Sequence, residues 1–145
     1  MPDVSLIRQL QNHREEIISK QVEALLKQRQ KIESETALSE RAEIALSGVL
    51  AYIQNRDRKE VARLIDSIRR HFSSYNSELA TSSFEFTAQV IIELTNLSEI
   101  LKQIMTRELS PKHRMVKKLE VRMDSLILLV QLVSNSSLIF QPRHN

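Results

Sequence analysis

A chain of 145 residues with a single glycine and three prolines has almost nothing that lets a backbone reverse sharply. Hairpin-rich β architectures depend on such residues, so the sequence predicts an all-α fold of helices joined by short polar connections. Pro2 and Pro142 lie near the two ends, and Pro111 follows Ser110 in an order that suits a helix cap and first helical position. At this length a chain buries roughly 68 to 70% of its unfolded surface, which is enough for one self-sufficient core. The expectation is therefore one domain over residues 1–145.

Cysteine and tryptophan are both absent. Disulfides, thiolate metal sites and cysteine nucleophiles are thereby excluded, and the composition fits a reducing compartment, so a cytoplasmic location is expected. The longest apolar run, Leu126 to Val133, falls far short of a bilayer span, and the N-terminus has no basic segment followed by an apolar core. No membrane association is expected. The 21 basic and 18 acidic residues leave a net charge of +3, too small an excess to mark a nucleic-acid binder.

Apolar periodicity divides the chain into five segments. The first runs from about Ser5 to Ile32 through Leu6, Leu10, Ile17, Val22 and Leu25, either as one rod or as two helices broken near Asn12, which could act as a cap with Glu15 three residues on. A loop over Glu33 to Leu38 precedes a second helix capped by Ser39 and reaching Asn55. Gly48 lies inside it, where glycine costs about 1 kcal/mol relative to alanine, so a neighbouring helix is expected to approach closely there. Asp57 caps a third helix through Val61, Leu64, Ile68 and Phe72. The fourth spans about Thr81 to Arg107, and the fifth starts at Ser110 and Pro111 and continues to about Phe140.

The fifth helix carries two apolar lines. Val116, Leu119, Met123, Leu126, Val130, Val133, Ser137 and Phe140 alternate at steps of three and four, the pattern of a coiled-coil seam, while Val121, Leu128, Leu132 and Ile139 follow another face. Such a helix is either the centre of its own bundle or shared between its own core and a twofold partner. The candidate dimer interface is the seam Val116, Leu119, Met123, Leu126, Val130, Val133 and Phe140, although periodicity alone leaves open which line faces the core.

Residues that could carry chemistry are dispersed. His13, His71, His113 and His144 show no i, i+4 pairing with a carboxylate that would hold a metal, and His71 suits the C-terminal end of its basic helix by charge. Asn12-His13-Arg14-Glu15-Glu16 only faintly suggests a phosphorelay box. The basic runs at 56–63 and 112–122 are interleaved with Glu60, Asp66, Glu120 and Asp124, as on a solvated face. One glycine cannot make a phosphate loop, and no nucleophile constellation can be placed. The chain is read as a non-enzyme with no metal and no cofactor.

The opening Leu6-Ile-Arg-Gln-Leu10-Gln-Asn-His-Arg-Glu-Glu-Ile17-Ile18, followed by Val22, Leu25 and Leu26, resembles the start of the N-terminal sensor domains of stressosome co-antagonists of the RsbR type. The segment Leu109 to Leu138 resembles their closing helix. Gln21 departs from the pattern, since many members carry an aromatic residue there. The resemblance implies a globin-like, haem-free, dimeric domain that feeds a signal to a downstream module. No histidine lies between His71 and His113 to serve as a proximal haem ligand. The combined expectation is an all-α, five-helix globin-like or bundle domain with a long C-terminal helix, a homodimer acting on a downstream signalling protein. The alternatives are a stand-alone helical adaptor for another protein and a nucleic-acid-binding bundle using the basic third helix.

Overall fold

The computed structural model describes residues 4–28, 34–75, 83–110 and 112–140, with the side chains of 5–28, 34–75, 84–110 and 112–134. Among the described residues there are six α-helices and no strand: α1 (Val4–Asn12), α2 (Arg14–Gln28), α3 (Glu35–Asn55), α4 (Arg58–Ser74), α5 (Ser83–Glu108) and α6 (Arg114–Phe140). The all-helical expectation stands, and the count of five is corrected to six.

The extra helix comes from a break in the first segment at His13. Nothing apolar lies between Leu10 and Ile17 to hold that stretch to the core. The break falls where the two-helix alternative put it, with α1 ending at Asn12; the His13 amide donates back to the Leu10 carbonyl at 3.1 Å, while its own carbonyl accepts from the Ile17 amide at 2.9 Å.

Two other starts are also corrected. The stretch expected as a loop up to Leu38 joins α3, because Ser34 is the cap: its Oγ accepts from the Ala37 amide at 3.1 Å. Capping there lets Ala37 and Leu38 enter the interior. α6 begins later than Ser110 and Pro111, the latter outside the described residues. His113 takes the cap position, its Nδ1 accepting from the Met115 amide at 3.1 Å and its carbonyl from the Val116 amide at 3.0 Å. Asp57 does cap α4, with Oδ1 accepting from the Lys59 amide at 3.0 Å. Between α3 and α4 the chain turns through Arg56 in the left-handed region at φ 51°, closed by its amide on the Tyr52 carbonyl at 2.7 Å.

Successive helices pack side by side, α2 on α3, α3 on α4 and α5 on α6, and the bundle closes through α2 against α5 and α4 against α6. One large hydrophobic cluster draws on all six helices, from Leu6 and Leu10 through Phe72 and Phe86 to Leu126 and Val130. A smaller one, Val22, Leu25, Leu38 and Ala42, fills the space between α2 and α3. Gly48 faces α4: a Cβ built there would lie 2.5 Å from Leu64 Cδ1 and 3.1 Å from Leu64 Cβ and Cγ. The missing side chain is what lets α4 cross α3 so closely. Among the described residues no helix is long and apolar enough to cross a membrane.

Candidate functional site

α6 resolves into the two lines read from its sequence, one packed into the bundle and one open. Val116, Leu119, Met123, Leu126 and Val130 are buried within the protomer and Val133 is half-buried against the same cluster. The side chain of Phe140 is outside the described residues. The described part of the seam named as the candidate interface is therefore packed into the protomer's own core. The open line is the other one, with Val121 59%, Leu128 55% and Leu132 45% exposed. The physical reason lies upstream on that line, where Arg114, Lys117 and Lys118 occupy the same side of the helix and are exposed. A face that begins with three cations cannot be buried along its length without desolvating them. Its border is tied to α3 by a hydrogen bond of 2.8 Å between the Tyr52 hydroxyl and Ser125 Oγ.

A second concentration of unusual chemistry lies where α2, α3, α4 and α5 meet. Arg41 is fully buried and Glu93 is 2% exposed. Arg41 Nε donates to Glu93 Oε1 at 2.8 Å and Oε2 at 3.0 Å, and Gln89 Nε2 donates to Oε2 at 2.8 Å. Gln21, where the resemblance expected an aromatic ring, is buried and donates to the Glu93 carbonyl at 2.9 Å. Its Oε1 has no hydrogen-bond partner among the described residues. The Arg41 guanidinium lies 4.3 Å above the Phe72 ring, which meets Phe86 edge-on at 5.8 Å, and Arg69 covers Phe86 at 4.1 Å. With Arg41 and Glu93 buried and bonded across α2, α3 and α5, the cluster works as a polar rivet between helices.

A third cluster clips the α1–α2 joint to the end of α5. Arg107 donates to Glu16 from both terminal nitrogens, at 2.6 and 2.9 Å, and His13 lies 3.6 Å from Glu16 Oε1 and 3.6 Å from Glu108 Oε1. The Arg107 hydrogen bonds, seconded by Lys20, pull the Glu16 carboxyl down to about 2 from its ordinary 4.5. A carboxyl lowered on folding adds stability that is complete above pH 4.5 and is lost as pH falls toward about 2. Glu16→Gln is expected to flatten that part of the acid limb of a Tm-against-pH profile followed by circular dichroism. Because the pair is exposed, salt should shrink the difference.

The remaining candidates are accounted for structurally. His71 is buried, with Nε2 3.7 Å from Glu40 and its ring 4.8 Å from Tyr75; the hydrogen bond from Tyr75 to Glu40 raises the phenol above its usual range. His113 is the α6 cap, and His144 lies outside the described residues. No group of three potential metal ligands occurs among the described residues. On the basic third segment, now α4, Arg63 pairs with Glu60 at 2.6 Å and Arg70 with Asp66 at 3.0 Å.

Sequence reasoning missed one surface altogether. A groove of about 840 Å³ runs between α2 and the first half of α3, with Glu15, Glu23, Glu35, Glu40 and Glu43 along its edges. The signal was present only as glutamates on two separate helices, and nothing in their spacing states that the helices lie together. No family model matches the sequence, and comparison with curated proteins and with solved structures found no match.

Proposed function

We propose that this chain is a non-catalytic sensory or regulatory input domain that homodimerises through α6 and passes a signal to a downstream output module. The observation that carries the reading is the open apolar line Val121, Leu128 and Leu132 on a helix whose opposite face is already core. The resemblance to stressosome sensor domains supports the same reading, with a globin-like haem-free bundle as its fold. In this mechanism a ligand or protein changes the relative pose of two paired α6 helices, and the change reaches the output partner by population shift between two packings.

Magnitudes set the character of the contact. Six side chains from two copies, each about half exposed, would contribute on the order of 5 kcal/mol at about 1.5 to 3 kcal/mol per fully buried residue. Association costs about 4 to 15 kcal/mol. The pairing is therefore weak and concentration-dependent. A contact of that strength is one that a modest stimulus can move.

Sedimentation velocity over a range of micromolar concentrations tests this. Wild-type protein is expected to shift from monomer toward dimer, and Leu128→Asp to remain monomeric with unchanged helicity by circular dichroism. A wild-type chain that stays monomeric throughout removes the basis of the proposal.

A further inference from the structure

The groove between α2 and α3 combines two features that are seldom left together without purpose. Its floor is apolar: Leu26 is 44% exposed, and Ile18 is half-buried and packs against the small cluster that includes Val22. Among the described residues that cluster has four buried members, with Ile18 packed against it. Its rim is acidic, with five glutamates and no lysine or arginine among the described lining residues, in a chain whose net charge is +3.

The carboxylates are not equally committed. Glu23 pairs with Lys27 at 3.4 Å and Glu40 accepts from the Tyr75 hydroxyl at 3.0 Å. Glu15, Glu35 and Glu43 have no cationic partner among the described residues. Glu15 stands on α2, and Glu35 and Glu43 lie two turns apart on α3, so carboxylates outside any ion pair of the described residues flank the floor on both sides, with Arg14 and Arg63 on the adjoining groove beside Glu43. An occupant that suits this surface has an apolar stripe with cations on each flank.

We infer that the α2–α3 groove docks a cationic amphipathic helix of another protein. Its leucine-class residues would lie on Ile18 and Leu26, and its lysines or arginines would meet Glu15, Glu35 and Glu43. This is the helix-in-groove mode, in which apolar anchors give affinity and flanking charges give orientation and rate. The surface is separate from the exposed line of α6, so the two contacts can be made at once.

The test uses a synthetic helical peptide with leucines at i, i+3, i+4 and i+7 and lysines at the flanking positions, and a matched peptide with glutamates replacing the lysines. Binding is read by backbone amide shifts and by fluorescence anisotropy at moderate salt. The lysine peptide is expected to shift amides of α2 and the first half of α3, and the glutamate peptide to leave them unmoved. Glu15→Lys with Glu43→Lys should weaken binding about tenfold or more, Leu26→Ser severalfold, and Leu128→Asp on α6 not at all. Circular dichroism establishes that each variant is folded. Shifts centred on α6, equal binding of both peptides, or indifference to Leu26→Ser would each overturn the inference. So would a loss of self-association in the Glu15→Lys, Glu43→Lys protein, which would assign the groove to a second copy of this chain. Failure of the α6 dimer would leave all peptide outcomes readable, because Leu128→Asp isolates the monomer.

Discussion

Glu93→Ala is expected to lower the free energy of unfolding by about 3 to 5 kcal/mol, a large share of the total for a domain of this size. The carboxylate accepts from Arg41 at 2.8 and 3.0 Å and from Gln89 at 2.8 Å, and Arg41 is fully buried. Removing the acid takes from a buried guanidinium the carboxylate that accepts from its Nε. The loss is chiefly the cost of keeping a buried charge that has lost this carboxylate rather than the value of the pair, because taking two ions out of water nearly cancels their attraction. Replacing both partners distinguishes these accounts. Arg41→Met with Glu93→Leu is expected to recover most of the stability, measured by urea unfolding of the two single variants and the double variant. A double variant as unstable as Glu93→Ala would show that the pair contributes through its own geometry, including the stacking of Arg41 on Phe72.

The place of that rivet was partly legible in the sequence. Arg41 is three residues after Leu38 and four before Ala45, and Glu93 is three after Val90 and four before Leu97, so both interrupt apolar stripes of their helices. A charge on a stripe demands a partner. Which partner depends on contacts across a separation of 52 residues, and periodicity within one helix carries no information about the packing of two. The same limit hid the α2–α3 groove.

Helix identity and helix ends divide in a similar way. The scarcity of glycine and proline gave the all-helical architecture, and Asp57 gave the start of α4. Ser34 and Ser39 do compete at the start of α3, and the choice is made by the burial of Ala37 and Leu38, the latter against α2, which could not be foreseen from the local sequence. At α6 the Ser110–Pro111 signal was outweighed by the His113 side chain on the Met115 amide. The two lines of α6 were visible, but their assignment turned on Arg114, Lys117 and Lys118, whose charges keep one line open to water.

That assignment has a sharp consequence for two leucines two residues apart. Leu126 is fully buried in the cluster shared by all six helices, and Leu128 is 55% exposed. Leu126→Ala is expected to cost about 2 to 5 kcal/mol, from lost transfer energy and the cavity left behind, and to lower the urea midpoint accordingly. Leu128→Ala should change stability by no more than about 0.5 kcal/mol in dilute protein, where no partner covers it, while weakening self-association at higher concentration. The opposite ordering would mean that the seam faces a partner after all and that the open line is covered in solution. Running both variants at two protein concentrations separates the cases, since only a residue at an intermolecular contact makes the apparent stability depend on how much protein is present. A stability loss at Leu126 that is independent of concentration, beside a concentration-dependent effect at Leu128, assigns one face of α6 to the fold and the other to a twin.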